Sequence, residues 1–302
     1  MGRASLLCAY GISGIEEDMQ IAIIGPGGIG STFAFQLARA GHDVTVVARG
    51  GRLEQLRHDE AIVKTDGQRV PVRVAGELDE STPWDLVLVT VLVSQVDVLL
   101  PVLGGSSAKA VMFMFNTFGS LDRLRDAVGP QHFAFGFPAI VASLDQGRLS
   151  SSILRRGMST TVTDPLWAKV FSEAGIPATV HPDMESWLRT HAAVIVPMAI
   201  AGLTAARRGS GLSKGESLKL ARATDEGFRL VRHLGNSLTP APMAVVSRLP
   251  VRGLAAMYWM LTRLRAFTRT LGVAPAAEPR MLIDEMSAAA PGHTPALAAI
   301  RP

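Results

Sequence analysis

From Met19 onward the chain alternates short apolar runs, many of them β-branched, with longer stretches whose apolar positions recur at helical spacing. Short apolar runs bounded by turn-forming residues read as buried strands, and the three-to-four spacing reads as amphipathic helix. QIAIIG (20–25) is such a strand, and STFAFQLARAG (31–41) is a helix stopped by Gly41 with Arg39 in its last turn. DVTVVAR (43–49) is the next strand. AIVKTDGQRVPVRV (61–74) reads as a hairpin turning on Asp66-Gly67, because Asp-Gly supplies the positive φ angles of a tight turn. DLVLVTVL (85–92), AVMFMFN (110–116), FAFGFPAIVASL (133–144) and STTVT (159–163) are further extended segments, with a helical stretch between the first two.

Strands that alternate with helices imply a largely parallel sheet covered on both faces. Beyond about residue 184 only helical periodicity remains, over 185–206, 213–234, 241–270 and 278–290. The expected architecture is therefore α/β, a Rossmann-type, mostly parallel sheet domain over 19–183 followed by an all-α C-terminal domain over 184–302. The boundary falls at Pro182–Asp183, and residues 1–18 read as a disordered extension.

Composition narrows the partners. With 48% hydrophobic and 19% charged residues, a folded core is expected and disorder is not. Thirty basic against 26 acidic residues leave a net charge of +4 spread along the chain. A local pocket for an anionic small molecule accounts for that better than nucleic acid does. Lysine is scarce: Lys64, Lys109, Lys169, Lys214 and Lys219 are all there are. The single cysteine, Cys8, excludes an internal disulfide and fits a reducing compartment. MGRASLLCAYGISGIEED makes a poor secretory signal, and the apolar runs 86–93 and 192–206 are too short or interrupted for a membrane span. The expected location is cytoplasmic, with no membrane or nucleic-acid partner. The seven histidines show no metal-binding spacing, so no metal is expected.

Chemistry enters at Gly25-Pro26-Gly27-Gly28-Ile29-Gly30, a GxGxxG run that follows a strand and opens a helix. Gly25 permits the tight turn, Gly27 lets backbone approach a pyrophosphate, and Gly30 lets helix and strand pack closely. The helix N-terminus stabilises the anion. An NAD-binding strand two usually ends in a carboxylate that holds the ribose 2′-hydroxyl, whereas here it ends in Arg49, with Arg52 nearby. A guanidinium fork suits a 2′-phosphate, so NADP(H) is the expected cofactor. Ligands of open α/β sheets lie beyond the carboxyl ends of the strands, where Gln95 and Asn116 stand.

GPGGIG, the arginine ending strand two, EAIVKTDGQRV, DLVLVTVLVSQ, MFNTFG and a Trp-led helix after the sheet together resemble the ketopantoate reductase (2-dehydropantoate 2-reductase) family. The likeness is good over 19–140, partial around 185–198 and weak from about 207. It implies an NADPH-dependent reductase of a small 2-keto acid, as in pantothenate biosynthesis. By motif, Gly25, Gly27 and Gly30 would hold the pyrophosphate, Arg49 the 2′-phosphate, and Asn116 the nicotinamide end. Gln95 matches a family glutamine, while the lysine of that same segment is Leu92 here.

The family's catalytic helix has a Trp followed two residues later by a proton-donating Lys, then Asn four and eight positions on. In ESWLRTHAAVIVPM (185–198), Trp187 is followed by Arg189, with Ala193 and Pro197 at the Asn positions. Aligning the proline instead gives Leu188, Ala192 and Val196. Neither register restores a Lys or an Asn. Arg189 and His191 stand as alternative catalytic residues: Arg189 to polarise a carbonyl or clamp a carboxylate, His191 to supply a proton. The competing reading packs Trp187 on His191 at i, i+4 and leaves Arg189 solvated. Glu278, Asp284 and Glu285 occupy the region of the family's C-terminal acidic segment without one being singled out.

Two motifs read as structural. Gly211-Leu212-Ser213-Lys214-Gly215 matches GxSxG, but no strand precedes it, and Ser213 with Glu216 is a helix capping box. MAVVSRLPVRGLAAMYWMLTRLRAF (243–267), with basic residues spaced along a helical apolar face, reads as core or dimer packing ahead of membrane binding. The expected function is NADPH-dependent reduction of a small carbonyl compound, a 2-keto acid such as ketopantoate or a related substrate. The lost Lys and Asn argue for a different substrate or a changed proton donor. The alternative is a catalytically silent NADP(H)-binding sensor or interaction protein, and the helical half leaves room for a homodimer.

Overall fold

The computed structural model describes residues 18–155, 158–272 and 277–302. The extension expected before Met19, Cys8 included, lies outside the described residues except for Asp18.

The first part of the chain runs β1 (Gln20–Ile24), α1 (Gly28–Arg39), β2 (Asp43–Val47), α2 (Gly50–Asp59), β3 (Ala61–Val63), β4 (Arg69–Pro71), β5 (Arg73–Ala75) and β6 (Leu86–Val89). There follow α3 (Leu100–Gly105), β7 (Val111–Phe113), α4 (Asp122–Val128), β8 (Phe133–Phe137), β9 (Ile140–Asp145), β10 (Arg148–Ile153), β11 (Thr160–Val162), α5 (Pro165–Glu173) and β12 (Ala178–Val180). Eight strands form one sheet in the order β12-β11-β8-β7-β6-β1-β2-β5. Its pairings are parallel except β11 against β8. The Asp66-Gly67 hairpin forms between β3 and β4, with Gly67 at φ +86.

Side chains alternate across a strand, so β1 serves two cores. Ile21 and Ile23 pack with Phe33, Trp167 and Phe171 beneath α1 and α5, where the Phe33 and Phe171 rings meet edge-on at 5.0 Å. Ala22 and Ile24 pack on the opposite face with Leu103 and Leu124 of α3 and α4. The β9–β10 hairpin lies over the start of α1, close enough that a Cβ on Gly28 would come within 2.8 Å of the Ala142 backbone.

The remainder is helical: α6 (Met184–Arg208), α7 (Lys214–His233), α8 (Ala241–Val246), α9 (Val251–Leu261), α10 (Arg265–Leu271), α11 (Ala277–Ala289) and α12 (Pro295–Ala298). Asp183 caps α6 by accepting the Ser186 N–H at 2.9 Å, and Gly209 closes it at φ +70. By length and composition α6 is apolar enough to cross a membrane, yet more than half of its most apolar window is buried in this fold. Leu188 enters the sheet's second core, while Ala192, Ala193 and Val196 enter the helical core with Phe118, Phe228, Leu282 and Met286. Ser213 and Glu216 form the capping box of α7. The Tyr258 hydroxyl meets that of Thr224 at 2.7 Å in a fully buried contact, and such a bond contributes about 1 kcal/mol net.

The helix expected over 241–270 is three helices. Pro250 lacks an N–H and disfavours helical backbone at Leu249, which separates α8 from α9. At the other end Thr262 turns its hydroxyl back to the Tyr258 carbonyl (2.9 Å) and accepts the Leu212 N–H (3.2 Å). The run expected to pack in a core or a dimer enters this chain's core on one face, through Leu254 and Tyr258, while Val245, Leu249, Trp259, Met260 and Leu264 are exposed.

Candidate functional site

The glycine loop joins β1 to α1 and is pinned from several sides. Gly25 adopts φ +84, and the Thr90 hydroxyl donates to its carbonyl at 2.8 Å. Pro26 is buried, and its carbonyl accepts from the Ser31 hydroxyl (2.9 Å) and from Arg52 Nε (3.1 Å). Gly27 is the exposed residue of the six, with nothing nearer than 4.0 Å to a Cβ built on it. Gly30 is the tightest, since a Cβ there would meet the Thr90 hydroxyl and come within 2.6 Å of the Gly25 carbonyl. Ile29 turns partly into the core under α1. Helix geometry leaves the first-turn N–H groups without intrahelical acceptors, directed past Gly27. These features make an anion cradle with a rigid floor and an open mouth.

The two arginines beyond β2 do different things. Arg49, expected to end the strand, lies two residues past β2 as the N-cap of α2, is exposed, and forms no ion pair among the described residues. Arg52 bonds internally: besides Pro26 it reaches the Gly147 carbonyl (2.8 Å), Gln55 Oε1 (2.9 Å) and Ser31 Oγ (2.9 Å). It staples the loop to the β9–β10 turn, and burial lowers its pKa from the ordinary arginine value. Gln95 lies exposed in a short turn after β6, its side-chain carbonyl accepting the Leu92 N–H at 3.3 Å.

Past β7 the chain meets α11. Asn116 Nδ2 donates to Glu278 Oε1 at 3.1 Å, while Asn116 Oδ1 is buried with no donor among the described residues. Buried polar atoms are rarely left unpaired, so this acceptor marks a place for a ligand donor. Burial holds the Glu278 carboxyl above the usual glutamate range, offset in part by the Asn116 bond. Glu285, two turns further along α11, accepts from the Thr117 hydroxyl (3.0 Å) and the Phe118 N–H (2.6 Å), fastening the 116–119 segment. No sequence pattern joins Asn116 to Glu278, because 162 residues separate them.

The helix of Trp187, Arg189 and His191 is placed at the junction, and its two cations do not behave as free groups. Arg189 is held by the Phe118 carbonyl (3.2 Å), Asn236 Oδ1 and Glu185 (2.7 Å), so it is neither solvated nor unpaired. His191 stacks on Trp187 at 5.1 Å with 7° between the rings and touches the Phe137 ring at 4.3 Å. Burial lowers its pKa to about 4, so it is neutral near pH 7 and has no imidazolium proton to give. The packed arrangement of Trp187 on His191 is the one observed, while Arg189 is tied rather than solvated. In the alternative register Leu188, Ala192 and Val196 are all buried core, so that face of α6 offers no polar group.

Between the 116–120 segment, α4, α6 and α11 lies a cleft of about 430 Å³, lined by Phe115, Thr117, Ser120, Arg123, Arg189 and Glu285 among others. Among the described residues no cluster of metal-ligating side chains occurs.

Residues 21–161 match the family model described as Ketopantoate reductase PanE/ApbA. Over 185 residues the chain is 28% identical to a 2-dehydropantoate 2-reductase of Vibrio cholerae, an alignment covering 56% of this chain and 58% of that protein. The chain thus spans less than two thirds of the relative it matches. Among solved structures, a PanE/ApbA family ketopantoate reductase from Ralstonia eutropha superposes with a TM-score of 0.69 at 18% identity, covering 94% of this chain and 96% of that one. A D-mandelate dehydrogenase in complex with NADH gives 0.68 at 16% identity with the same coverage. A dimeric ketopantoate reductase from Staphylococcus aureus gives 0.61 at 14% identity, covering 93% and 97%. At these identities the structures speak for the fold, which extends over sheet and helical half alike. Over residues 21–161 this chain is therefore similar to the ketopantoate reductase PanE/ApbA family.

Proposed function

We propose that the chain binds NADP(H) across the carboxyl ends of β1, β6 and β7 and reduces a small carbonyl compound of the 2-keto acid class. The observation that carries this reading is the anion cradle at Gly25–Gly30, followed just past β2 by an exposed Arg49 with no ion pair among the described residues, where a carboxylate would select NAD. The fold alone does not choose between dinucleotides, because the similar D-mandelate dehydrogenase structure holds NADH. The family-model match over residues 21–161 and the similar 2-dehydropantoate 2-reductase support a keto acid as substrate.

When bound, NADPH supplies the hydride. The α1 first-turn N–H groups and Gly27 hold the pyrophosphate, and Arg49 holds the 2′-phosphate. Arg52 keeps the loop in shape instead of contacting phosphate. Gln95 and Asn116 stand at the nicotinamide end, and the free Asn116 Oδ1 accepts an amide or hydroxyl proton there. Glu278, kept protonated more readily than an ordinary glutamate, donates the proton to the carbonyl oxygen in place of the absent lysine. Arg123 and Arg189 line the neighbouring cleft, already paired with Asp97 and Glu185, so a substrate carboxylate there would have to share or displace those partners.

Two titrations and one assay test this. NADPH fluorescence should show binding at least tenfold tighter than NADH, at roughly 1.4 kcal/mol for each factor of ten. Arg49→Ala should weaken NADPH by about ten- to a hundredfold, the worth of a charge-assisted hydrogen bond, and leave NADH nearly unchanged. NADPH oxidation is then followed across 2-keto acids, ketopantoate included, and across aldehydes and simple ketones. A preference for NADH overturns the cofactor assignment, and tight NADPH binding without turnover on any of these compounds overturns the reductase assignment.

A further inference from the structure

The acidic residues stop at Glu226 and resume at Glu278. The 51 residues between them contain seven arginines, no lysine and no carboxylate, a local charge of +7 in a chain whose total is +4. Helices α8, α9 and α10 all fall within this stretch. Arg229 pairs with Asp225, outside the stretch, and Arg232 bonds the Ser247 hydroxyl to hold α8 against α7. Arg248, Arg252, Arg265 and Arg269 are exposed and have no carboxylate partner among the described residues.

Large apolar side chains emerge among them. Val245, Leu249, Trp259, Met260 and Leu264 are between 40% and 63% exposed. On α9 the outward row is Arg252, Ala256, Trp259 and Met260, at helical spacings of four, seven and eight, with Arg263 in the turn just beyond, while Leu254 and Tyr258 pack inward. Arg263 lies 3.7 Å over the Trp259 ring and bonds the Leu212 carbonyl, which fixes the indole at the surface.

We infer that the outer face of α8–α10 is a docking surface for an anionic phospholipid bilayer, on which the protein lies peripherally. An amphipathic helix with aromatic and aliphatic residues between arginines sits in the interface plane, its apolar side chains among the acyl chains and its guanidinium groups at headgroup phosphates. Tryptophan favours that depth. Charge decides against the other occupants. A second copy of this face would bring unpaired arginines against unpaired arginines with no carboxylate in either segment. A nucleic acid would neutralise the arginines and leave the five apolar side chains without a partner.

The test uses the full chain with vesicles of phosphatidylcholine alone and of phosphatidylcholine mixed with phosphatidylglycerol. Co-sedimentation should occur with the anionic vesicles and weaken as salt rises, with a blue shift in tryptophan emission that Trp259→Ser removes. Arg265→Glu with Arg269→Glu should weaken vesicle binding at least roughly thirtyfold, at about 1 kcal/mol for each basic residue near the surface. Circular dichroism of both variants should match the parent, and NADPH binding should be unchanged. No association with anionic vesicles at low salt overturns the inference. So does association that ignores these substitutions, or a dimer in sedimentation velocity that Trp259→Ser dissolves.

Discussion

Glu278→Gln is expected to lower turnover by roughly a hundred- to a thousandfold while leaving NADPH affinity within a factor of two. The glutamine keeps an acceptor for Asn116 Nδ2, so the 3.1 Å contact and the packing of α11 survive while the ionisable proton is lost. Turnover in the parent should fall as pH rises through the raised Glu278 value, and the variant's residual rate should not show that fall. Stability gives an independent readout. A carboxyl whose folded pKa is raised favours the native state while protonated, so its contribution is present below the ordinary glutamate range and is lost as pH rises through the folded value. Thermal denaturation of the variant should therefore lose less stability than the parent between acid and neutral pH. An unchanged rate with an unchanged pH profile would remove Glu278 from the chemistry and leave the cofactor assignment standing.

Gly30→Ala should abolish measurable NADPH binding and lower thermal stability together. Its Cβ would land on the Thr90 hydroxyl and within 2.6 Å of the Gly25 carbonyl, and that carbonyl cannot retreat. It already accepts the Gly27 N–H at 2.7 Å, while the Gly25 N–H donates to Val47 at 3.2 Å. Relief requires α1 to back away from β1, which opens the core around Phe33 and withdraws the first-turn N–H groups from the cradle. Overpacking of this kind costs about 1–3 kcal/mol. Gly27→Ala is the contrast, because space is open there. That variant should keep the parent's melting temperature and lose cofactor affinity through contact with the pyrophosphate alone. Equal affinity in Gly30→Ala and the parent would mean that the loop does not hold the dinucleotide.

What the sequence made legible follows interaction range. The strand, glycine loop and helix at 20–41 announce themselves through composition within one βαβ unit, and the structure has the same elements within a few residues. Ser213 and Glu216 were equally readable, because a capping box is complete in four residues. Asn116 was recognisable by its place at a strand end, but its partner was not, since Glu278 reaches it only after the helical half folds back on the sheet. Arg52 carries a similar lesson. Its position near Arg49 suggested phosphate, whereas the Gly147 carbonyl that engages it comes from a hairpin 95 residues away. The periodicity over 241–270 was real, but the same amphipathic pattern describes three helices with a solvent face as readily as one packed helix.

The continuity of α6 ties the two halves into one unfolding unit. Met184 and Leu188 at its start belong to the core beneath the sheet, its middle to the core with Phe228 and Met286, and Ala201 to the cluster around Tyr258. The helix runs on through all 25 residues, although Pro197 lacks the N–H for one bond of its ladder, so losing either core frays the helix that completes the other. Melting by heat or denaturant should thus be a single cooperative event reported identically by near-ultraviolet and far-ultraviolet signals, and a helical half expressed alone would lack the surface on which its first two turns rest.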